Sequence, residues 1–536
     1  MQRVDMVDYD QAYREFRWEI PPTFNFGGDV VDRWAEDPQR LALIWCSDRG
    51  EERRFTFGDI RRATNQFANL LQQRGVKKGD RVLVMLPRIP AWQIAMVGCL
   101  KLGAVPVPCI TMQTARDIAF RTQHSGAVGA VTTREHTGKF PTDHPFRARV
   151  SVAGGDGWDD FDSVLAACPD AFTPVTVGSE EPAILYYTSG STGHPKGVTH
   201  ASRGLFTWRV SAWHWLTLTE HDLIWCTADT GWSKAGTSIL FGPWSCGSAV
   251  LFYDGPFDPA TRLDLLERYR VTVFCAAATE LRRLIHAGIG QRDLSALRLT
   301  TSAGESVNPE VIKQWQTLTG KLLLEGYGQT ETLMTVLNYP ALPLKPGSMG
   351  RPLPGTAVAV IADGNRLVGP GEAGTFAIRQ PNPQLMLGYW QDPQLTASST
   401  VTIDGEPWFL TGDSVTMDED GYLFYGGRAD DVINSAGYRI GPLEVENVLM
   451  EHPAVQECAV VASPDPDRGE VVKAFIILRP GIAGDDALHR EMQDFVKRTT
   501  APYKYPRKLE FVSDLPKTAT GKIRRRTLRD RELGCR

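Results

Sequence analysis

Residues Tyr186 to His200 read YYTSGSTGHPKGVTH and follow directly from a strand-like run, AILYYT (183–188). After Thr188 come Ser189, Gly190, Ser191, Thr192, Gly193, His194, Pro195 and Lys196. Glycines let successive backbone amides turn toward one point and form an anion nest. The hydroxyls add donors and Lys196 adds positive charge, which together suit a polyphosphate. The loop is not a Walker A loop, because that motif needs Gly before its Lys and Ser or Thr after it. Here Lys196 stands between Pro195 and Gly197.

Four later stretches offer matching chemistry. GYGQTE (326–331) follows the strand-like KLLLE and places Gln329, Thr330 and Glu331 at a strand end, where ligands bind in open α/β sheets. Glu331 suits Mg²⁺, which takes one or two carboxylates plus phosphate oxygens. In FLTGD (409–413), Asp413 after a tight glycine turn could accept both hydroxyls of a ribose. In GGRADDVINSAGYRIGPLEVE (426–446), Arg428 could donate to the same ribose or to phosphate. The fifth stretch, PKTATGKIRRR (516–526), puts Lys522 before a basic run in which Arg525 and Arg526 read as a solvated end.

The elements that must carry these residues alternate between short apolar runs and amphipathic stretches. RVLVML (81–86) reads as a strand, IPAWQIAMVGCLKLG (89–103) as a helix, and AVPVPCI (104–110) as a strand. The rhythm returns over 271–304, and it predicts parallel sheets flanked by helices. From about residue 345 the chain turns rich in Gly and Pro with short alternating strands, which predicts a small β-barrel-like subdomain to 427. Residues 432–536 offer helices and strands enough for a small α+β lid. The fold class is therefore α/β, with a large domain over 1–427, a hinge at 428–431 and the lid beyond it.

Composition bounds the partners. The chain has 536 residues with 58 basic and 63 acidic side chains, net charge −5, which gives no global attraction to nucleic acid or anionic membrane. Nine cysteines lie singly, without CxxC or zinc spacing, as free thiols in a reducing compartment. The run AGTSILFGPWSCGSAVLFY (235–253) reads as buried strands joined by a Gly-Pro turn, not as a membrane span. The opening residues form neither an apolar signal nor a basic transit peptide, so a cytoplasmic location is expected. Monomer and homodimer are equally compatible with the sequence.

The five motifs in this order resemble the adenylate-forming superfamily of acyl-CoA synthetases, firefly luciferase and peptide-synthetase adenylation domains, over essentially the whole chain. DDVINSAGYRIGPLEVENVLMEHPAV (430–455), SPDPDRGEVVKAF (463–475), TAPYKYPRKLEFV (500–512) and ADTGWSKAG (228–236) are most similar to the medium-chain acyl-CoA synthetases. The resemblance implies that a carboxylic acid reacts with Mg·ATP to give an acyl-adenylate and pyrophosphate, and that coenzyme A then displaces AMP. It implies Thr188 to Lys196 at the β/γ-phosphates and SAGE (302–305), with Gly304 and Glu305, against adenine. Glu325, Gly326, Tyr327, Gly328 and Gln329 lie nearby, with Thr330 at the α-phosphate, Glu331 on Mg²⁺, and Asp413 and Arg428 on ribose. Lys522 would bridge acyl carboxylate and phosphate, and Asp430 would be the hinge. Coenzyme A would meet Ala436, Gly437, Tyr438, Arg468, Lys497, Tyr505, Pro506 and Arg507, with Gln113 from the large domain, and Arg439 would lie near the acyl-adenylate.

The acid pocket is implied around Trp232, Phe274 to Thr279, Gly304 and Tyr327, with His200 and Trp208 as further candidates. Ala277 or Ala278 stands where the group shows proline, and Leu281 where it shows an aromatic, which predicts a reshaped pocket. Rival readings are an enzyme that loads an aryl or amino acid onto a carrier protein, a non-catalytic nucleotide sensor, and an oxidative luciferase-like enzyme. The first lacks a carrier domain here, the second would be expected to lose Lys522, Glu331 or Asp413, and the third shares the adenylation residues.

Overall fold

A computed structural model of the chain describes residues 5–188, 195–428, 431–435, 438–465, 468–500, 504–517 and 523–534, with backbone alone at Asn434, Tyr438, Arg439 and Gly469. The largest sheet has nine strands. Six of them run parallel: Leu41–Ser47, Ala249–Asp254, Leu223–Cys226, Val273–Cys275, Leu299–Ala303 and Leu322–Gln329. Antiparallel strands close both edges, Glu52–Thr56 at one and Leu333–Leu337 with Arg351–Pro352 at the other. The inner strands are short apolar runs because both faces are covered. Cys226, Phe252, Cys275 and Leu324 face one core; Trp225, Leu251, Phe274 and Leu323 face the other.

A second parallel sheet holds Val105–Pro108, Arg81–Val84, Gly129–Thr133, Ala148–Val152 and Asp159–Asp160. A three-stranded antiparallel sheet holds Pro182–Thr188, Lys196–Ala201 and Gly388–Tyr389. The barrel-like region is a six-stranded antiparallel sheet built around the long strand Glu406–Met417. It packs Phe376, Ile378, Phe409, Val415 and Leu423 on its inner face.

One expected element is different. Residues 233–245 are helical, and only Ala249–Asp254 forms a strand. The helical part is buried nearly all round, so its sequence carries no polar face, and periodicity cannot separate such a helix from a buried strand. No described helix is long and apolar enough to cross a membrane.

The C-terminal region has a five-stranded mixed sheet, with Gly469–Leu478 paired to Val455–Asp465, Ile433–Ser435 and Lys508–Phe511. The helices Pro442–Met450 and Asp486–Thr499 cover it around Val445, Leu449, Val460, Ile476 and Met492. It meets the six-stranded sheet where Gly441 lies against the backbone of Gly426; a Cβ at Gly441 would sit 2.4 Å from that carbonyl oxygen. The basic run is also not solvated throughout. Arg525 opens the helix Arg525–Glu532 and forms a two-pronged ion pair with buried Glu446 (3.0 and 2.5 Å). Arg529 pairs with Asp431 at 3.0 Å. Glu446 was not visible as a partner because it lies 79 positions away.

Candidate active site

The strand Leu322–Gln329 turns tightly and returns as Leu333–Leu337, so Gln329 is still paired (with Leu333) as the GYGQTE stretch reaches its tip. Gly328 is required there: a Cβ would lie 2.0 Å from the Leu333 carbonyl oxygen. The tip is fastened from several elements. The Nε2 of His200 lies 2.5 Å from the Thr330 carbonyl oxygen, and Ser233 Oγ lies 3.3 Å from Thr330 Oγ1. The Met386 amide donates to the Glu331 carbonyl at 2.9 Å, and Tyr389 Oη donates to Glu331 Oε1 at 3.0 Å. Lys196 Nζ stands 5.4 Å from the centre of the Tyr389 ring. The end of the phosphate-loop motif, the tip and the strand Gly388–Tyr389 are therefore linked by direct contacts.

On the other side of the tip lies Asp413. It does not follow a turn, as the sequence suggested; Gly412, at φ +70°, makes an irregularity within the strand Glu406–Met417. The carboxylate accepts from Tyr327 Oη at 2.5 Å, from Gln329 Nε2 at 2.6 Å and from Arg428 Nη1 at 3.2 Å. Burial pushes the Asp413 carboxyl up, and Arg428 and these hydrogen bonds oppose it. Tyr327 therefore faces Asp413, with its ring against Phe376 and Tyr425. Below the tip, Glu325 is buried with Oε2 lacking a hydrogen-bond partner, and burial pushes it up to about 8, so it is protonated at neutral pH. Gly304 has φ +95°, and Glu305 Oε1 accepts from the Thr279 amide at 3.2 Å.

The expected acid side divides in two. Trp232, whose buried Nε1 has no partner, leads into the helical segment that carries Ser233 to Thr330 and Lys234 to the Ala303 carbonyl at 2.8 Å. Phe274, Ala276, Ala278 and Leu281, by contrast, pack into the core on the far face of the sheet with Trp225 and Trp315. The side chains alternate along the strand, so Cys275 faces inward where Phe274 cannot. The departure at Leu281 thus changes a core contact, not a pocket wall. His200 touches the Thr330 backbone, and Trp208 donates to Thr237 Oγ1 at 2.8 Å and stacks on Phe241.

On the C-terminal region, Lys497, Tyr505, Pro506 and Arg507 come together. Lys497 Nζ and Arg507 Cζ stand 4.4 and 4.7 Å from the Tyr505 ring centre, and Arg507 Nη1 donates to Tyr505 Oη at 2.7 Å. Gln493 Nε2 donates to the Pro506 carbonyl at 2.9 Å. Arg468 sits at the start of Gly469–Leu478, its amide on Asp465 at 3.0 Å. Gln113 lies on the large domain, in the turn before the helix Ala115–Ser125, with buried Oε1 unpartnered. Tyr438 and Arg439 are on the strand Tyr438–Ile440. Ser189 to His194, Asp430, Ala436, Gly437 and Lys522 lie outside the described residues. Sequence reasoning missed Ser233, Tyr389 and Lys234. Ser233 and Lys234 stood beside the singled-out Trp232, whereas nothing near Tyr389 in sequence marks it.

Two family profiles cover most of the chain: the AMP-binding enzyme matches residues 30–390 and the AMP-binding enzyme C-terminal domain residues 444–522. Mouse "Acyl-coenzyme A synthetase ACSM3, mitochondrial" is 41% identical over 98% of this chain and 93% of its own length. The chain belongs to the AMP-binding enzyme family, as an AMP-forming acid–CoA ligase of the medium-chain type. Its fold agrees. The Brucella canis acyl-CoA synthetase superposes with a TM-score of 0.77 at 34% identity, covering 99% of each chain. The anthranilate CoA ligase AuaEII, solved with anthranoyl-AMP, gives 0.86 at 30%, covering 96% of this chain and 98% of its own. As an acyl-CoA synthetase the chain takes a carboxylic acid, ATP and coenzyme A. The expected cytoplasmic location is overturned: the mouse, rat and human ACSM3 relatives are named mitochondrial. Free, buried thiols at the eight described cysteines do not distinguish one reducing compartment from another.

Proposed function

We propose that the linked motifs form the adenylation site, that the Lys497–Arg507 patch receives coenzyme A, and that the acid is a short- or medium-chain or aromatic carboxylate. The observation that carries this is the contact chain Lys196–Tyr389–Glu331 and Gln329–Asp413–Arg428, which joins four separate sequence motifs at one hairpin. Thr188 to Lys196 bind the β/γ-phosphates, Thr330 the α-phosphate, Asp413 and Arg428 the ribose, and Gly304, Glu305 and Glu325 to Gly328 border the adenine. Trp232 and Ser233 mark the acid side. That AuaEII holds an acyl-adenylate in the same fold supports this order.

In the first half-reaction a carboxylate oxygen bonds to the α-phosphorus and the bond to the bridging β-phosphate oxygen breaks, releasing pyrophosphate. Catalysis is mainly positioning and stabilisation of phosphate charge. Glu331 fits a role in holding Mg²⁺: one Oε1 is fixed by Tyr389, and one carboxylate with phosphate oxygens is the set that ion takes. When bound, it would neutralise phosphate charge. Lys522 adds a positive charge between the acyl carboxylate and the phosphate. In the second half-reaction the thiol sulfur bonds to the acyl carbon, the carbon–oxygen bond to AMP breaks, and the thiol proton is lost. We place the hinge at Asp430, between a large domain over 1–427 and a lid over 432–536. Its rotation withdraws Lys522 and brings Asn434 to Arg439 to the site. Incubation with ATP, coenzyme A and a panel of C2–C12 and aromatic acids, reading AMP and acyl-CoA, tests the assignment. Equal amounts of both products are expected for some acids, and AMP without acyl-CoA throughout would contradict it.

A further inference from the structure

The three-stranded sheet Pro182–Thr188, Lys196–Ala201 and Gly388–Tyr389 carries both ends of the phosphate-loop motif. Two side chains leave this sheet toward the hairpin tip. From Lys196–Ala201, His200 reaches the Thr330 carbonyl at 2.5 Å. From the neighbouring strand, Tyr389 reaches Glu331 Oε1 at 3.0 Å. Register joins the two strands directly, with Gly388 opposite Thr199 and Tyr389 opposite Val198.

The chemistry of each contact is defined. A carbonyl oxygen only accepts, so His200 carries its hydrogen on Nε2 and donates it. The ring is fully buried, Nδ1 has no partner, and burial pushes it down to about 4, so it stays neutral. Gly204 lets the following helix close on the ring; a Cβ there would be 3.3 Å from Nδ1. A phenol carries its hydrogen and a carboxylate only accepts, so Tyr389 donates to Glu331.

We infer that His200 and Tyr389 are positioning residues that set Thr330 and Glu331 against Lys196. His200 holds the tip backbone and Tyr389 aims the carboxylate, while the Tyr389 ring lies beneath Lys196. The three-stranded sheet thereby fixes the spacing between Thr330 and Lys196. This rests on the adenylation-site reading given above.

Tyr389→Phe removes one oxygen atom and tests the second contact. Mn²⁺ binding in the presence of a non-hydrolysable ATP analogue should weaken about tenfold, the effect of one hydrogen bond to a charged group. Glu331→Gln serves as the reference. If it leaves Mn²⁺ binding unchanged, the metal reading of Glu331 fails; if it weakens binding and Tyr389→Phe does not, only the present inference fails. For His200, pyrophosphate exchange should fall about tenfold or more in His200→Phe, which keeps a ring without a donor. His200→Gln, whose amide can reach the same carbonyl, should restore exchange to within about threefold. Transfer from a supplied acyl-adenylate to coenzyme A should change less than exchange in both. Equal impairment of Phe and Gln variants, or equal loss of both half-reactions, would overturn the role of His200.

Discussion

The hairpin tip Gln329–Thr332 and the basic patch Lys497–Arg507 both carry groups suited to a phosphate-bearing substrate, and they are built differently. At the tip, polar atoms are held by residues from four other places in the chain: His200, Ser233, Tyr389 and Asp413. The Asp413 side chain is only 4% exposed. At the patch, Lys497 and Arg507 stack on Tyr505 within an eleven-residue span, and the Lys497 side chain is 38% exposed. A buried, cross-braced group cannot lose one partner without stranding another, whereas an exposed cation loses a screened attraction. Substitutions on the ATP side should therefore cost more, and in a different half-reaction, than those on the patch.

The largest effect is expected at Lys522. Lys522→Ala should slow pyrophosphate exchange about a thousandfold while transfer from a supplied acyl-adenylate persists. Equal loss of both would remove the asymmetry between the two regions.

Asp413→Ala comes next. It strands the Tyr327 hydroxyl and leaves the Gln329 amide with the Thr411 carbonyl alone, so the KM for ATP should rise about a hundredfold. An effect as small as that of a patch substitution would mean that the bracing of the tip has no functional weight.

Glu325 gives the brace a pH signature. Its folded value near 8 lies above the ordinary 4.5, so the folded chain holds this proton longer than the unfolded chain. The contribution is fully present below about pH 4.5 and is lost as pH rises toward about 8, by up to about 1.4 kcal/mol per pH unit. Denaturant titrations of Glu325→Gln should show a flatter decline over that window than the parent chain.

The smallest effect belongs to the patch. Arg507→Ala should raise the KM for coenzyme A about five- to tenfold, more at low salt than at high, with pyrophosphate exchange unchanged. A salt-independent change would place Arg507 in a buried contact instead.

What the sequence made legible follows the same division. The parallel sheets, the Gly- and Pro-rich β region and the C-terminal helices came from periodicity, and the ATP motifs came from loop chemistry. The helical 233–245 segment did not, because burial on all sides erases amphipathic alternation. Tyr327 and Asp413 are 86 positions apart, so their bond was invisible until the strands were placed. Phe274 stands among residues expected at the pocket, but period-two alternation sends it to the opposite core from Cys275. Tyr389 and Ser233 are ordinary residues in sequence, and only geometry shows that they touch Glu331 and Thr330.

The most direct measurement is pyrophosphate exchange and acyl transfer from a supplied acyl-adenylate, run side by side on Glu331→Gln and Arg507→Ala. Crossed results are expected: Glu331→Gln loses exchange far more than transfer, and Arg507→Ala loses transfer at limiting coenzyme A while keeping exchange. If both variants lose both half-reactions in the same proportion, the tip and the patch do not serve separate steps.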